Sequence, residues 1–88
     1  MYLHLGKNEI VPAKNLIGIF DLDNASWSKR TRDYLAAADR EGVVLDACED
    51  IPRSFVVCDH PYHKQIIYLS QLSSATLAKR AEAERMEL

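Results

Sequence analysis

Two short apolar segments, separated by six polar residues, constrain the fold of this 88-residue chain more than any other feature. Pro52 precedes the first segment, residues 54–58, and residues 65–69 form the second. The loop between them, residues 59–64, is polar and contains Pro61. Apolar runs of this length between turn residues are typical of β-strands. The sequence therefore predicts a β-hairpin over residues 54–69.

Four further strand candidates lie outside this hairpin. A strand over residues 2–5 would end at Gly6, and a strand over residues 9–11 would pair with it across a turn. Residues 16–22 alternate weakly between apolar and other side chains, which predicts a half-buried strand. Residues 43–45 are predicted to form a short strand. Together with two helices, these segments predict an α+β fold with a small antiparallel sheet of about five short strands.

The first helix is predicted over about residues 27–41. Asp23, Asn24 and Ser26 precede it and are all residue types favoured at a helix N-cap. Gly42 stands where a left-handed C-cap residue would end the helix. One face of the helix has larger or apolar residues at helical spacing, namely Trp27, Thr31, Tyr34, Leu35 and Ala38.

The last helix begins at Ser73 or Ser74, and the sequence leaves this choice open. Its apolar stripe is narrow, with Leu77, Ala81 and Leu88 on one side of a charged helix. Such a helix buries little on its own and suits contact with a neighbouring subunit. The alternative is a frayed, solvated C-terminus.

Length and composition indicate one globular domain over residues 1–88, with 48% hydrophobic and 27% charged residues. A chain this short buries only about 60–65% of its unfolded surface, so self-association would stabilise it. Two cysteines do not make a disulfide framework, and we expect neither a signal peptide nor a transmembrane segment. We expect a soluble, cytoplasmic homo-oligomer.

Three cations, Lys29, Arg30 and Arg32, fall in the first turns of the first predicted helix. Cations there oppose the helix dipole, whereas a bound phosphate would reverse that cost, so the cluster is a candidate anion site. Ser26 and Ser28 would add hydroxyl donors. The alternative is a solvated helix face on which Lys29 pairs with Asp33. The net charge of −2 argues against simple electrostatic DNA binding by a monomer.

A second candidate, Arg53, follows Pro52 at the start of a predicted strand, where a proline-held turn would fix the direction of its guanidinium. The alternative is a surface ion pair with Glu49 or Asp50.

Cys58, His60 and His63 form a C-x-H-x-x-H pattern, but three local ligands fall short of a closed zinc site, so we predict no metal and no cofactor. No nucleophile motif or phosphate loop is present, and we predict a protein that is not an enzyme and has no small-molecule substrate.

Three segments together resemble a known family: IGIFDLDN (residues 17–24), PRSFVVC (residues 52–58) and YLSQLSSATLAKR (residues 68–80). The chain is similar to the RemA/RemB family of bacterial extracellular matrix regulators, and closest to the RemB branch, from MYLHLG at its start to the LAKR of the last helix. The resemblance implies a fold like that of LytTR DNA-binding domains. It also implies rings that present basic residues to DNA and activate matrix and biofilm operons.

By this resemblance, Arg53 corresponds to a basic position of the family, and Lys14 stands beside a further basic position that is Asn15 here. The chain also has Asp50 and Ile51 where the RemA branch has a basic pair, which removes phosphate contacts. Two functions follow as hypotheses. The first is a DNA-backbone-binding, ring-forming transcription regulator that uses Arg53, Lys14, Lys29, Arg30 and Arg32. The second is a homo-oligomeric protein-interaction scaffold that does not bind DNA.

Overall fold

The computed structural model describes residues 2–6, 9–22, 28–48 and 51–86. Within them, each predicted strand and both helices are found, with boundaries shifted by one or two residues in most cases. A single 3-10 turn precedes the third strand. The elements are β1 (Tyr2–Gly6), β2 (Glu9–Pro12), the turn (Ala13–Asn15), β3 (Leu16–Asp21), α1 (Lys29–Arg40), β4 (Val44–Asp46), β5 (Ser54–Cys58), β6 (Ile66–Ser70) and α2 (Ser74–Met86).

The strands form two sheets, which confirms the α+β class but differs from the single antiparallel sheet expected. β1 and β2 pair only with each other, and the other four strands lie in the order β3-β5-β6-β4. The predicted hairpin of β5 and β6 is confirmed, whereas β4 pairs parallel to β6. The crossover through α1 makes β4 run in the same direction as β3. β6 runs in that direction as well, because β5 is antiparallel to both β3 and β6. The similarity to LytTR domains stays a prediction.

β5 is buried on both faces and divides the core into two clusters. Val56 and Cys58 face a cluster formed with β1, β2 and α2, in which Leu77 is the buried residue of α2. Phe55 and Val57 face the opposite cluster, which α1 covers with Ala38. A strand with apolar side chains on both faces belongs in the centre of a layered fold, and its two neighbours β3 and β6 hold it there.

A β-bulge explains the weak alternation in β3. Leu16 lies opposite Cys58 and Gly18 lies opposite Val57, so Ile17 is an extra residue without a partner on β5. The bulge shifts the alternation of the side chains. Leu16 and Ile19 therefore pack on the α2 side of the sheet, while the side chain of Ile17 is exposed.

Two buried serines fasten the β1–β2 hairpin and α2 to the four-stranded sheet. The Ser70 hydroxyl donates to the Leu5 carbonyl at 2.6 Å, and the Ser54 hydroxyl donates to the Leu72 carbonyl at 2.7 Å. Gly6 has a φ of +135°, and a Cβ there would lie 2.6 Å from the Ala47 carbonyl oxygen. A side chain at Gly6 is excluded by this contact and by the backbone conformation.

The C-terminal end of α1 agrees with the prediction, and its N-terminal cap differs from the predicted ones. Gly42 has a φ of +75°, which confirms the left-handed C-cap. The N-cap is Ser28, whose hydroxyl oxygen accepts from the Thr31 backbone amide at 3.1 Å. The predicted caps Asp23, Asn24 and Ser26 lie outside the described residues, as does Trp27.

α2 is capped by Ser73, whose hydroxyl accepts from the Thr76 amide at 3.1 Å, so the helix begins at Ser74. Leu77 is fully buried in the chain's own core, and α2 packs against β1 and β3. The first turn of the helix is therefore packed in the core of its own chain, whereas Leu88 and the C-terminus lie outside the described residues. Neither α1 nor α2, the helices of the described residues, has the length and apolar character needed to cross a membrane.

Candidate functional site

The backbone of Arg53 is held on both sides at the start of β5. Its amide donates to the Ser70 carbonyl at 2.8 Å, and its own carbonyl accepts from the Leu22 amide at 2.9 Å. The residue itself is exposed. The backbone position of Arg53 is thus held by two neighbouring segments as well as by Pro52. The alternative partners Glu49 and Asp50 lie outside the described residues.

Lys14 lies in the 3-10 turn at the opposite end of this part of the sheet. The neighbouring Asn15 carbonyl accepts from the Asp59 amide at 2.8 Å, just beyond the last residue of β5. Arg53 stands just before the first residue of the same strand. A five-residue strand is about 17 Å long, so the backbones of Lys14 and Arg53 are separated by at least that strand length.

The three cations of α1 are exposed, and Lys29 and Arg32 are three positions apart on one side of the helix. Lys29 pairs with Asp33 at 3.0 Å, as the alternative interpretation predicted. Arg30 and Arg32 are two positions apart, so they point to different sides of the helix. The Ser28 hydroxyl is occupied as the N-cap and lies 3.0 Å from the Thr31 hydroxyl, while Ser26 lies outside the described residues.

One subunit therefore distributes the five predicted site residues over three elements: Lys14 lies in the 3-10 turn, Arg53 lies just before β5, and the other three lie in the first turn of α1. Pro52, beside Arg53, lines a pocket with Ala36 and Asp39 from the second half of α1. Arg30 instead lines a groove with Ile17, on the bulge of β3. A continuous basic surface would require several copies of the chain to place these groups side by side.

The residues of the C-x-H-x-x-H pattern are not gathered as metal ligands. Cys58 is packed in the core, where burial and the charge of Asp59 raise the pKa of its thiol to about 11. The ring centroids of His60 and His63 are 5.1 Å apart, and His60 Nδ1 accepts from the Tyr62 amide at 3.2 Å. Among the described residues, no three His, Cys, Asp or Glu side chains are placed to hold a metal ion.

The sequence did not predict a groove between α1 and the β3 edge of the sheet, which we call the α1 groove. Its volume is about 340 Å³. Ile17, Phe20, Phe55 and Val57 supply its apolar surface, and Arg30, Thr31, Tyr34 and Gln65 supply its polar groups. The only sign of this groove in the sequence is the weak alternation of residues 16–22. A bulge interrupts the alternation of side chains along a strand and can leave apolar ones uncovered.

One hydrogen bond crosses the inner end of this groove. The Tyr34 hydroxyl donates to Gln65 Oε1 at 2.6 Å, which links α1 to the start of β6. Burial raises the pKa of Tyr34, so its hydroxyl is protonated at neutral pH. A second cleft of about 580 Å³ continues beyond this bond, where Glu41, His63 and Lys64 are among the lining residues.

Comparison with known proteins identifies relatives over almost the whole chain. A family model described as RemA-like, extracellular matrix regulatory protein A-like, matches residues 2–81. The extracellular matrix regulatory protein B of Bacillus subtilis (strain 168) is 37% identical over 82 residues, which cover 93% of this chain and 91% of that protein. Both matches agree with the resemblance carried by IGIFDLDN, PRSFVVC and YLSQLSSATLAKR. The chain therefore belongs to the RemA-like family of extracellular matrix regulatory proteins.

Proposed function

We propose that this protein regulates extracellular matrix genes as a cytoplasmic homo-oligomer that binds the DNA backbone. Membership of a family of matrix regulatory proteins is the observation that carries the regulatory part of the proposal. The family is described by regulation rather than by catalysis, which agrees with the prediction of a non-enzymatic protein. Binding of the DNA backbone would link such an oligomer to gene expression, including that of biofilm operons.

The distribution of charge explains why DNA binding would require assembly. All five candidate cations are exposed, but one subunit disperses them, and its net charge is −2. Each neutralised phosphate adds a salt-dependent contribution to affinity, so one copy with few contacts binds weakly. A ring would repeat Arg53 and its companions around one surface, and linked weak contacts would then add through avidity.

The test is the light-scattering mass of the purified protein, alone and with a random-sequence duplex, at low and physiological salt. We expect a discrete oligomer that gains mass with DNA only at low salt. The variant Arg53→Ala/Arg30→Ala should abolish this gain, because it removes two phosphate contacts per subunit. The matched control is Arg40→Ala/Lys64→Ala, which removes the same charge from exposed residues outside the candidate set. If Arg53→Ala/Arg30→Ala binds DNA as the parent chain does, the site assignment is wrong.

A second function, a homo-oligomeric protein-interaction scaffold that does not bind DNA, is favoured by exposed apolar side chains. Ile51 is 78% exposed directly before Pro52, and Ile17 and Phe20 are exposed at the α1 groove. Large exposed apolar side chains close together are typical of interaction surfaces. In the same light-scattering experiment, an oligomer that is indifferent to DNA at both salt concentrations would favour the scaffold.

A further inference from the structure

A pair of stacked aromatic rings forms the floor of the α1 groove. The ring centroids of Phe20 and Phe55 are 4.9 Å apart with an interplanar angle of 15°. Phe55 is buried at 5% exposure, whereas Phe20 is 47% exposed. Gly18 makes the stacking possible, because a Cβ at that position would lie 2.9 Å from the Phe20 ring. The groove thus presents an aromatic surface on a rigid strand.

The polar groups of the groove are mainly hydrogen-bond donors. Gln65 Oε1 already accepts from the Tyr34 hydroxyl, so its amide NH₂ remains to donate. The Arg30 guanidinium is also a donor, and among the described residues it has no ion-pair partner. None of the described residues that line the groove carries a carboxylate. An acceptor with negative charge is therefore the complementary group.

We propose that the α1 groove binds a small amphipathic carboxylate. The apolar body of the ligand, aromatic or short aliphatic, would lie on Phe20 and Val57, and its carboxylate would accept from Arg30 and Gln65. A volume of about 340 Å³ is enough for a small molecule of this kind. Such a molecule is a ligand and not a substrate, which agrees with the absence of a predicted catalytic group. The proposal does not depend on DNA binding.

The test uses 3-phenylpropionate and, as a neutral analogue, its amide, with binding measured by calorimetry and by amide chemical shifts of the full chain. We expect the carboxylate to bind and to shift the signals of β3 and of the first half of α1. The amide should bind about tenfold more weakly, because hydrogen bonds to charged groups are the stronger ones.

Three variants test whether binding is specific to the groove. Arg30→Gln should weaken binding of 3-phenylpropionate about tenfold, since it removes the charged donor. Arg40→Gln is the matched control, because it removes the same charge from an exposed residue of the same helix that does not line the groove, and it should bind as the parent chain does. Ile17→Glu changes an exposed position and should also abolish binding by placing a negative charge beside the ligand.

Several outcomes would overturn the proposal. Equal affinity for the carboxylate and the amide would contradict charge recognition, and equal losses of affinity in Arg30→Gln and Arg40→Gln would contradict a specific site. Absence of binding up to the solubility limit of 3-phenylpropionate would reject the ligand class. If the signals of the groove move with protein concentration and not with 3-phenylpropionate, a second copy of the chain occupies the groove, and the proposal is wrong.

Discussion

The two faces of the four-stranded sheet are closed to different degrees. On the face covered by β1, β2 and α2, Leu77 is 0% exposed, and two buried serine hydroxyls bond to carbonyls of the covering segments. On the α1 face, the most buried residue of the helix, Ala38, keeps 7% exposure, and Phe20 is half exposed. We call the first the closed face, because its core is fully covered, and the α1 face the open face, because Phe20 is left partly uncovered.

The side chains of the two helices explain this difference. The buried side chain of α1 is the small Ala38, and the residues of α1 beside the edge strand β3 are Arg30, Thr31 and Tyr34, which leave Phe20 half exposed. α2 instead inserts Leu77 between the small sheet and the large one, and the β1–β2 hairpin adds a second cover. We infer that the closed face provides most of the stability, while the α1 face provides the surface for binding.

The largest expected effect is on the closed face. Leu77→Ala removes a fully buried side chain and should lower the free energy of unfolding by about 2–5 kcal/mol, because the surrounding core relaxes only partly into the cavity. Urea unfolding followed by circular dichroism measures this loss.

Leu35→Ala is the comparison on the α1 face. Leu35 is half-buried against the second core cluster, so the same truncation should cost about 1 kcal/mol. An equal or larger loss for Leu35→Ala would show that the two faces contribute alike, and the comparison would fail.

A pH-dependent effect is expected on the same closed face under alkaline conditions. Burial raises the pKa of the Cys58 thiol from 9.0 to about 11, so the folded state keeps this proton to higher pH than the unfolded state. Stability is therefore complete below pH 9 and is lost as the pH rises towards 11, by at most about 1.4 kcal/mol per pH unit. Burial raises the pKa of Tyr68 as well, and it acts in the same direction.

Urea midpoints measured from neutral pH to pH 11 test this dependence. Cys58→Ala should be less stable at neutral pH but should show a shallower decline above pH 9, and Tyr68→Phe should remove a further part of the slope. A parallel decline in the parent chain and in Cys58→Ala would mean that the thiol ionises freely, and that the closed face is not sealed at this position.

The features predicted correctly from sequence are those that neighbouring residues determine. The hairpin of β5 and β6 follows from two apolar runs and the polar loop between them, and the C-cap follows from Gly42 alone. Pairing between distant segments does not follow from neighbouring residues. The parallel pairing of β4 with β6 depends on where α1 crosses the sheet. The position of the β1–β2 hairpin against the four-stranded sheet depends on contacts such as the hydrogen bond from Ser70 to Leu5.

The site was predicted less completely than the fold, for the same reason. Sequence spacing identified Lys29 and its pairing with Asp33, because both lie on one helix. Sequence spacing did not show that Arg30 lines an apolar groove and that Arg32 does not. The groove depends on the bulge in β3 and on Gln65, which directly precedes β6. The Tyr34–Gln65 hydrogen bond joins residues 31 positions apart and leaves no periodic signal.

The smallest expected effect on stability is on the open face, where Gly18→Ala should change binding more than folding. The added Cβ would meet the far end of the Phe20 ring, which is half exposed and can turn away, so the cost should be about 1 kcal/mol or less. The displaced ring would no longer stack on Phe55, and binding of 3-phenylpropionate should be lost.

Gly42→Ala is the matched control for this change. Its Cβ meets nothing within 4 Å, but the φ of +75° should cost about 1–2 kcal/mol without affecting the groove. Urea unfolding and calorimetry on both variants therefore give opposite patterns: Gly18→Ala keeps its stability and loses the ligand, and Gly42→Ala does the reverse. If Gly18→Ala retains full affinity, the aromatic floor is not part of a binding site, and the open face only reflects the incomplete cover that α1 provides.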